Sequence, residues 1–103
     1  MSTILITGAG KGIGLGTALY FGRRAHTVYA GVRDVAAAVE LQQVVADEQL
    51  PIKLVTCDVD DDVSVTQCVD ELLAESGKID VLINNAGISA GGAVELVDID
   101  AAQ

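Results

Sequence analysis

Thr3-Ile4-Leu5-Ile6-Thr7-Gly8-Ala9-Gly10-Lys11-Gly12-Ile13-Gly14 is the stretch that decides how this chain folds. Its first five residues, Thr3 to Thr7, form an apolar run of the length of a buried parallel strand. The glycines then permit a tight turn, and Ile13 to Arg24 is compatible with a helix. Strand, glycine turn and helix in that order bring backbone N–H groups and the positive end of a helix dipole up to a pyrophosphate. Gly8, Gly12 and Gly14 are the expected turn formers. A P-loop reading fails, because the position five residues after Gly8 is Ile13 and no Lys-Ser or Lys-Thr pair stands there.

Charge agrees with an anionic ligand at this end. Residues 1–33 carry Lys11, Arg23, Arg24 and Arg33 and no acid, whereas residues 34–103 carry two bases against fifteen acids, for a net charge of −9. That balance argues against nucleic acid, which selects basic surfaces. At 103 residues and 50% hydrophobic content the chain is expected to be one domain spanning 1–103, with enough apolar material for a core. No stretch approaches the roughly 18 uninterrupted apolar residues of a membrane span, and the N-terminus opens directly into a strand, so a cytoplasmic protein without membrane attachment is expected. Cys57 and Cys68 lack metal or redox spacing and are read as buried structural thiols. His26, the only histidine, is read as part of a surface turn.

Beyond the first helix, Thr27 to Val32 reads as a second strand. Asp34 is placed to cap a helix running through Gln49, with Val35, Ala38, Leu41 and Val45 inward. Pro51 ends that helix, and Ile52 to Thr56 forms a third strand. Asp60, Asp61 and Asp62 begin another helix, in which Val65, Cys68, Val69, Leu72 and Leu73 recur at helical period until Gly77 stops it. Ile79 to Ile83 gives a fourth strand. The resulting β-α-β-α-β-α-β alternation predicts an α/β fold, a parallel sheet with helices on both faces.

The fourth strand runs into Asn84-Asn85-Ala86-Gly87. With Thr7-Gly8-Ala9-Gly10-Lys11-Gly12-Ile13-Gly14 and Cys57-Asp58-Val59, this closely resembles the short-chain dehydrogenase/reductase family. The resemblance implies a Rossmann-like sheet of strand order 3-2-1-4, truncated relative to the family domain. It also implies that Gly8, Lys11, Gly12, Ile13 and Gly14 line the phosphates and ribose, Asp58 and Val59 the adenine, and Asn84, Ala86 and Gly87 the inner ribose. Asn85 is assigned to stabilising the sheet. A plainer alternative has Asp58 cap a turn and the asparagines satisfy loop backbone groups.

The end of the second strand reads Gly31-Val32-Arg33-Asp34. An acid there would bind the 2′-hydroxyl of NAD and a base the 2′-phosphate of NADP. The family's acid position falls on Val32, followed by Arg33, and Lys11 is the second basic position of NADP-preferring members, so the resemblance implies NADP(H) ahead of NAD(H). The alternative makes Asp34 the ribose acid. The family's catalytic serine and Tyr-x-x-x-Lys pair have no counterpart here: Tyr20 and Tyr29 are followed four residues on by Arg24 and Arg33. Ser89 lies too early to be the serine. Val97 to Gln103 is similar to the cap and first turn of the family's next helix. The expectation is therefore the NADP(H)-binding first part of an oxidoreductase that transfers hydride between a nicotinamide and an alcohol or carbonyl, inactive alone. A non-catalytic nucleotide-binding or assembly module is the alternative. An open edge at the fourth strand would favour homo-oligomers.

Overall fold

The computed structural model describes residues 2–85 and, for the backbone, 95–97. The strands are β1 (Thr3–Thr7), β2 (Thr27–Val32), β3 (Ile52–Thr56), β4 (Val81–Asn84) and β5 (Glu95–Val97); the α-helices are α1 (Gly12–Arg23), α2 (Val39–Glu48) and α3 (Asp62–Ser76). They form a five-stranded sheet of order β3-β2-β1-β4-β5. The first four strands are parallel, with Ile6 opposite Ala30 on one side and Ile83 on the other, which gives the expected order 3-2-1-4.

β1 is buried along its whole length, as befits a strand covered on both faces. Its side chains alternate between two cores. Ile4 and Ile6 join Val28, Ala30 and Ile83 beneath Ala18 of α1 and Leu41 of α2, while Leu5, Tyr29 and Val55 meet Cys68 and Leu72 of α3. The period read from the sequence of α3 therefore holds for Cys68 and Leu72, but Leu73 is exposed. Gly22 lets α1 sit close on the sheet, since a Cβ there would press into the Ile52 side chain. No helix among the described residues is long and apolar enough to cross a membrane.

Three expectations change. The helix expected from Asp34 to Gln49 is divided: Asp34 accepts a hydrogen bond from the Ala36 N–H at 3.0 Å and caps a 3-10 turn over Val35–Ala37, and α2 begins after Ala38. Asp34 thus spends its cap on one short turn. The fourth strand begins at Val81 rather than Ile79, because the Asp80 carboxylate takes the Thr3 N–H at 2.7 Å while its own N–H donates to the Thr3 carbonyl, forming a corner before the ladder starts. Finally, β4 is not an open edge. β5 pairs with it antiparallel, Leu82 opposite Val97 and Asn84 opposite Glu95, so that backbone groups expected to be free face a neighbouring strand.

Candidate dinucleotide-binding site

A cleft of about 720 Å³ opens at the C-terminal ends of the central strands. That lies in the range of small-molecule and cofactor sites, roughly 300–1,000 Å³. The glycine loop between β1 and α1 forms one side, Val32 to Ala38 the second, and Cys57 with Val59 the third. Gly8 and Gly12 take φ values of 64° and 60°, the left-handed region open to glycine at little cost, and this turns the chain from β1 into α1. Lys11 is the N-cap; no side chain caps the helix and no acid stands in its first turn. The N–H groups of that turn have no intrahelical acceptor, and Gly12 and Ile13 border the cleft. An anion at this point would meet backbone donors and the positive helix end together.

Gly14 acts differently from its neighbours in the loop. A Cβ on it would stand 2.6 Å from the Asn85 Nδ2 and closer still to the Gly8 carbonyl oxygen. Its part is to let α1 approach the loop, and it does not border the cleft. Asn85 completes this junction by donating from Nδ2 to the Gly8 carbonyl at 3.1 Å, while its own N–H donates to Thr7 Oγ1 at 3.0 Å. Thr7 Oγ1 in turn donates to Asn84 Oδ1 at 3.0 Å. The asparagine pair ties β4 to β1, and Asn85 faces the cleft as well. Ala86 and Gly87, expected at the inner ribose, lie outside the described residues.

At the far side, Val32 is buried in the core, so no carboxylate ends β2. Arg33 follows and reaches across to the β3–α3 loop, where its Nη2 donates to Asp60 Oδ2 at 2.7 Å and its Nε lies 3.8 Å from Asp58 Oδ1. Asp58 is engaged in building that loop: its carboxylate accepts the Asp60 N–H at 3.0 Å, and its N–H donates to Ser64 Oγ at 2.9 Å. Val59, not Asp58, borders the cleft.

Among the residues expected from sequence, Gly8, Lys11, Gly12, Ile13, Arg33 and Val59 come together around one cleft. Asn84 faces a second, smaller hollow on the α3 side of the sheet. Sequence reasoning missed Gly10, Ala37, Ala38 and Cys57 as cleft residues. Gly10 was visible in the glycine run, and Cys57 directly follows β3; Ala37 and Ala38 carried no signal, since a regular helix was expected there. Cys57 and Cys68 are both buried and free of disulfides. A hydrogen bond between the thiols, which lets Cys68 keep its proton, pulls Cys57 below the usual thiol range; together with burial it pushes Cys68 above that range. His26 Nδ1 accepts the Ser2 N–H at 3.1 Å and the ring packs edge-on against Phe21.

The sequence pattern of the family described as short chain dehydrogenase matches residues 2–103, and the chain belongs to that family. A 3-ketodihydrosphingosine reductase of Bacteroides thetaiotaomicron is 38% identical over 93 residues, which are 90% of this chain and 31% of the relative. The structure is similar to an actinorhodin polyketide ketoreductase solved with NADPH, at TM-score 0.76 and 30% identity over 89% of this chain and 35% of that one. It is equally similar to a metagenomic short-chain oxidoreductase solved with NADP, at TM-score 0.76 and 28% identity over 84% of this chain and 39% of that one. The chain thus spans about a third of the length of the relatives it matches.

Proposed function

We propose that these residues form the NADP(H)-binding portion of a short-chain oxidoreductase, whose complete form transfers hydride between the nicotinamide and an alcohol or carbonyl. The observation that carries this reading is the cleft itself: uncapped N–H groups of α1 at one side and the guanidinium of Arg33 at the other, with no carboxylate ending β2 between them. The residues fit a dinucleotide. The backbone of Gly12 and Ile13 would hold the pyrophosphate, Lys11 and Arg33 the 2′-phosphate, and the apolar wall of Ala37, Ala38 and Val59 a flat base. A bound nicotinamide would supply the hydride. Asp34, the ribose acid of the NAD alternative, also borders the cleft, with one carboxylate oxygen taken by the Ala36 N–H.

The proposal assigns binding, not catalysis, to this stretch, because no tyrosine in it precedes a lysine by four residues. The similarity to two solved structures that hold NADPH or NADP supports the cofactor. Calorimetric titration of the wild type and Arg33→Ala with NADPH and NADH tests it. A charge-assisted hydrogen bond contributes about 1.5–3 kcal/mol, so the variant should bind NADPH about ten- to a hundred-fold more weakly. NADH should barely respond. Equal losses for both nucleotides would remove Arg33 as the discriminating residue.

A further inference from the structure

Arg33 is not waiting for a ligand. Its guanidinium spans the rim of the cleft from the end of β2 to the β3–α3 loop, where the Asp60 carboxylate accepts from Nη2 at 2.7 Å. Asp60 is in turn held by its surroundings: its N–H donates to the Asp58 carboxylate at 3.0 Å, and the Asp61 N–H donates to the Asp58 carbonyl at 3.0 Å, which closes the turn. The Asp58 carboxylate lies 3.8 Å from the other edge of the same guanidinium. Two acids from one turn therefore address the one base that ends β2.

We infer that Asp60 is a specificity-determining residue, a built-in carboxylate that competes with the 2′-phosphate of a dinucleotide for Arg33. The inference rests on the function proposed above. A guanidinium offers five N–H donors in a planar fork, and with Nη2 on Asp60 and Nε beside Asp58 one edge of that fork is already taken. A nucleotide bearing a 2′-phosphate competes with Asp60 for the Nη2 edge of the guanidinium. One bearing a 2′-hydroxyl leaves the pair intact. Both side chains are well exposed, 73% for Arg33 and 74% for Asp60, so the exchange is open to solvent and its cost is modest. Asp60 thereby narrows the preference for the phosphorylated cofactor that Arg33 creates.

The test is calorimetric titration with NADPH and with NADH of the wild type, Asp60→Asn, Arg33→Ala and the double variant. Asp60→Asn keeps the shape and removes the charge, and should tighten NADPH by about two- to five-fold at low salt, with less gain at high salt. NADH should change less than about two-fold, and the NADPH gain should vanish in the Arg33→Ala background. No change in NADPH affinity, an equal gain for both nucleotides, or a gain that persists without Arg33 would overturn the inference while leaving NADP(H) binding intact. A wild type that binds neither nucleotide would overturn the functional reading and this inference with it.

Discussion

Gly14 and Gly16 lie two residues apart in α1, and replacing each with alanine should move stability in opposite directions. At Gly14 the new methyl would stand 2.6 Å from Asn85 Nδ2 and closer still to the Gly8 carbonyl oxygen, contacts that real Cβ atoms essentially never make. The obstacle is backbone, so no rotamer change relieves it, and α1 must withdraw from the loop. Forced repacking of this kind costs about 1–3 kcal/mol. Losing the bond from Asn85 to the Gly8 carbonyl adds about 0.5–1.5 kcal/mol. Together these give a destabilisation of about 1.5–4.5 kcal/mol, out of the roughly 5–15 kcal/mol that a domain commands. At Gly16 a Cβ would meet nothing within 4 Å, and alanine gains about 0.5–1 kcal/mol in a helix interior. With about 4–8 °C of Tm per kcal/mol for a chain of this size, Gly14→Ala should melt at least about 6 °C below the wild type and Gly16→Ala a few degrees above it. Thermal melts followed by far-UV circular dichroism read both. Equal shifts, or a Gly14→Ala variant as stable as the wild type, would refute the claim that Gly14 is there for close approach.

Two further outcomes concern the opposite face and the sheet edge. The Glu75 carboxylate is held below the usual range by its hydrogen bonds from Lys53 and Tyr29, so the stability it contributes is present above its ordinary pKa of 4.5 and is lost as pH falls through the lower folded value. Denaturant melts from pH 6 to 2 should show Glu75→Gln losing part of the acid-side slope while wild type keeps it. Along β4, successive amides point alternately toward β1 and β5, so hydrogen exchange should be slow at both Leu82 and Ile83. Fast exchange at one of the two, with light scattering that shows concentration-dependent association, would return β4 to the role of an open edge.

Most of the fold was legible because its signals are local and strong. The bounds of β1, β2 and β3 were readable from apolar runs set between Gly, Pro and acidic turns, and α3 from the acids Asp60 to Asp62 at its start and its stop at Gly77. What escaped was fixed by distant partners. The break at Ala38 arises where a buried alanine packs against the β1–β2 core, and propensity alone gives no reason for it. The late start of β4 follows from Asp80 bonding to Thr3, a pairing 77 residues apart in sequence. β5 is three residues long and had no pattern to announce it. In the loop, Gly8 and Gly12 were readable as turn formers because their positive φ is a local need, whereas the part of Gly14 depends on the distant Asn85 as well as on Gly8. The ion pair of Arg33 with Asp60 was not readable, since it joins two loops that only the sheet order brings together.

The central claim is that a nicotinamide dinucleotide phosphate binds at the glycine loop and the end of β2. Amide chemical-shift mapping of the isotopically labelled chain during titration with NADP tests this most directly. The account predicts saturable shifts centred on Gly10, Lys11, Gly12, Ile13 and Arg33, which border the cleft, with Leu72 to Ser76 at the far end of α3 unmoved. Shifts centred instead on Val65 and Val69 beside the smaller hollow, or no saturable shifts at all, would contradict it.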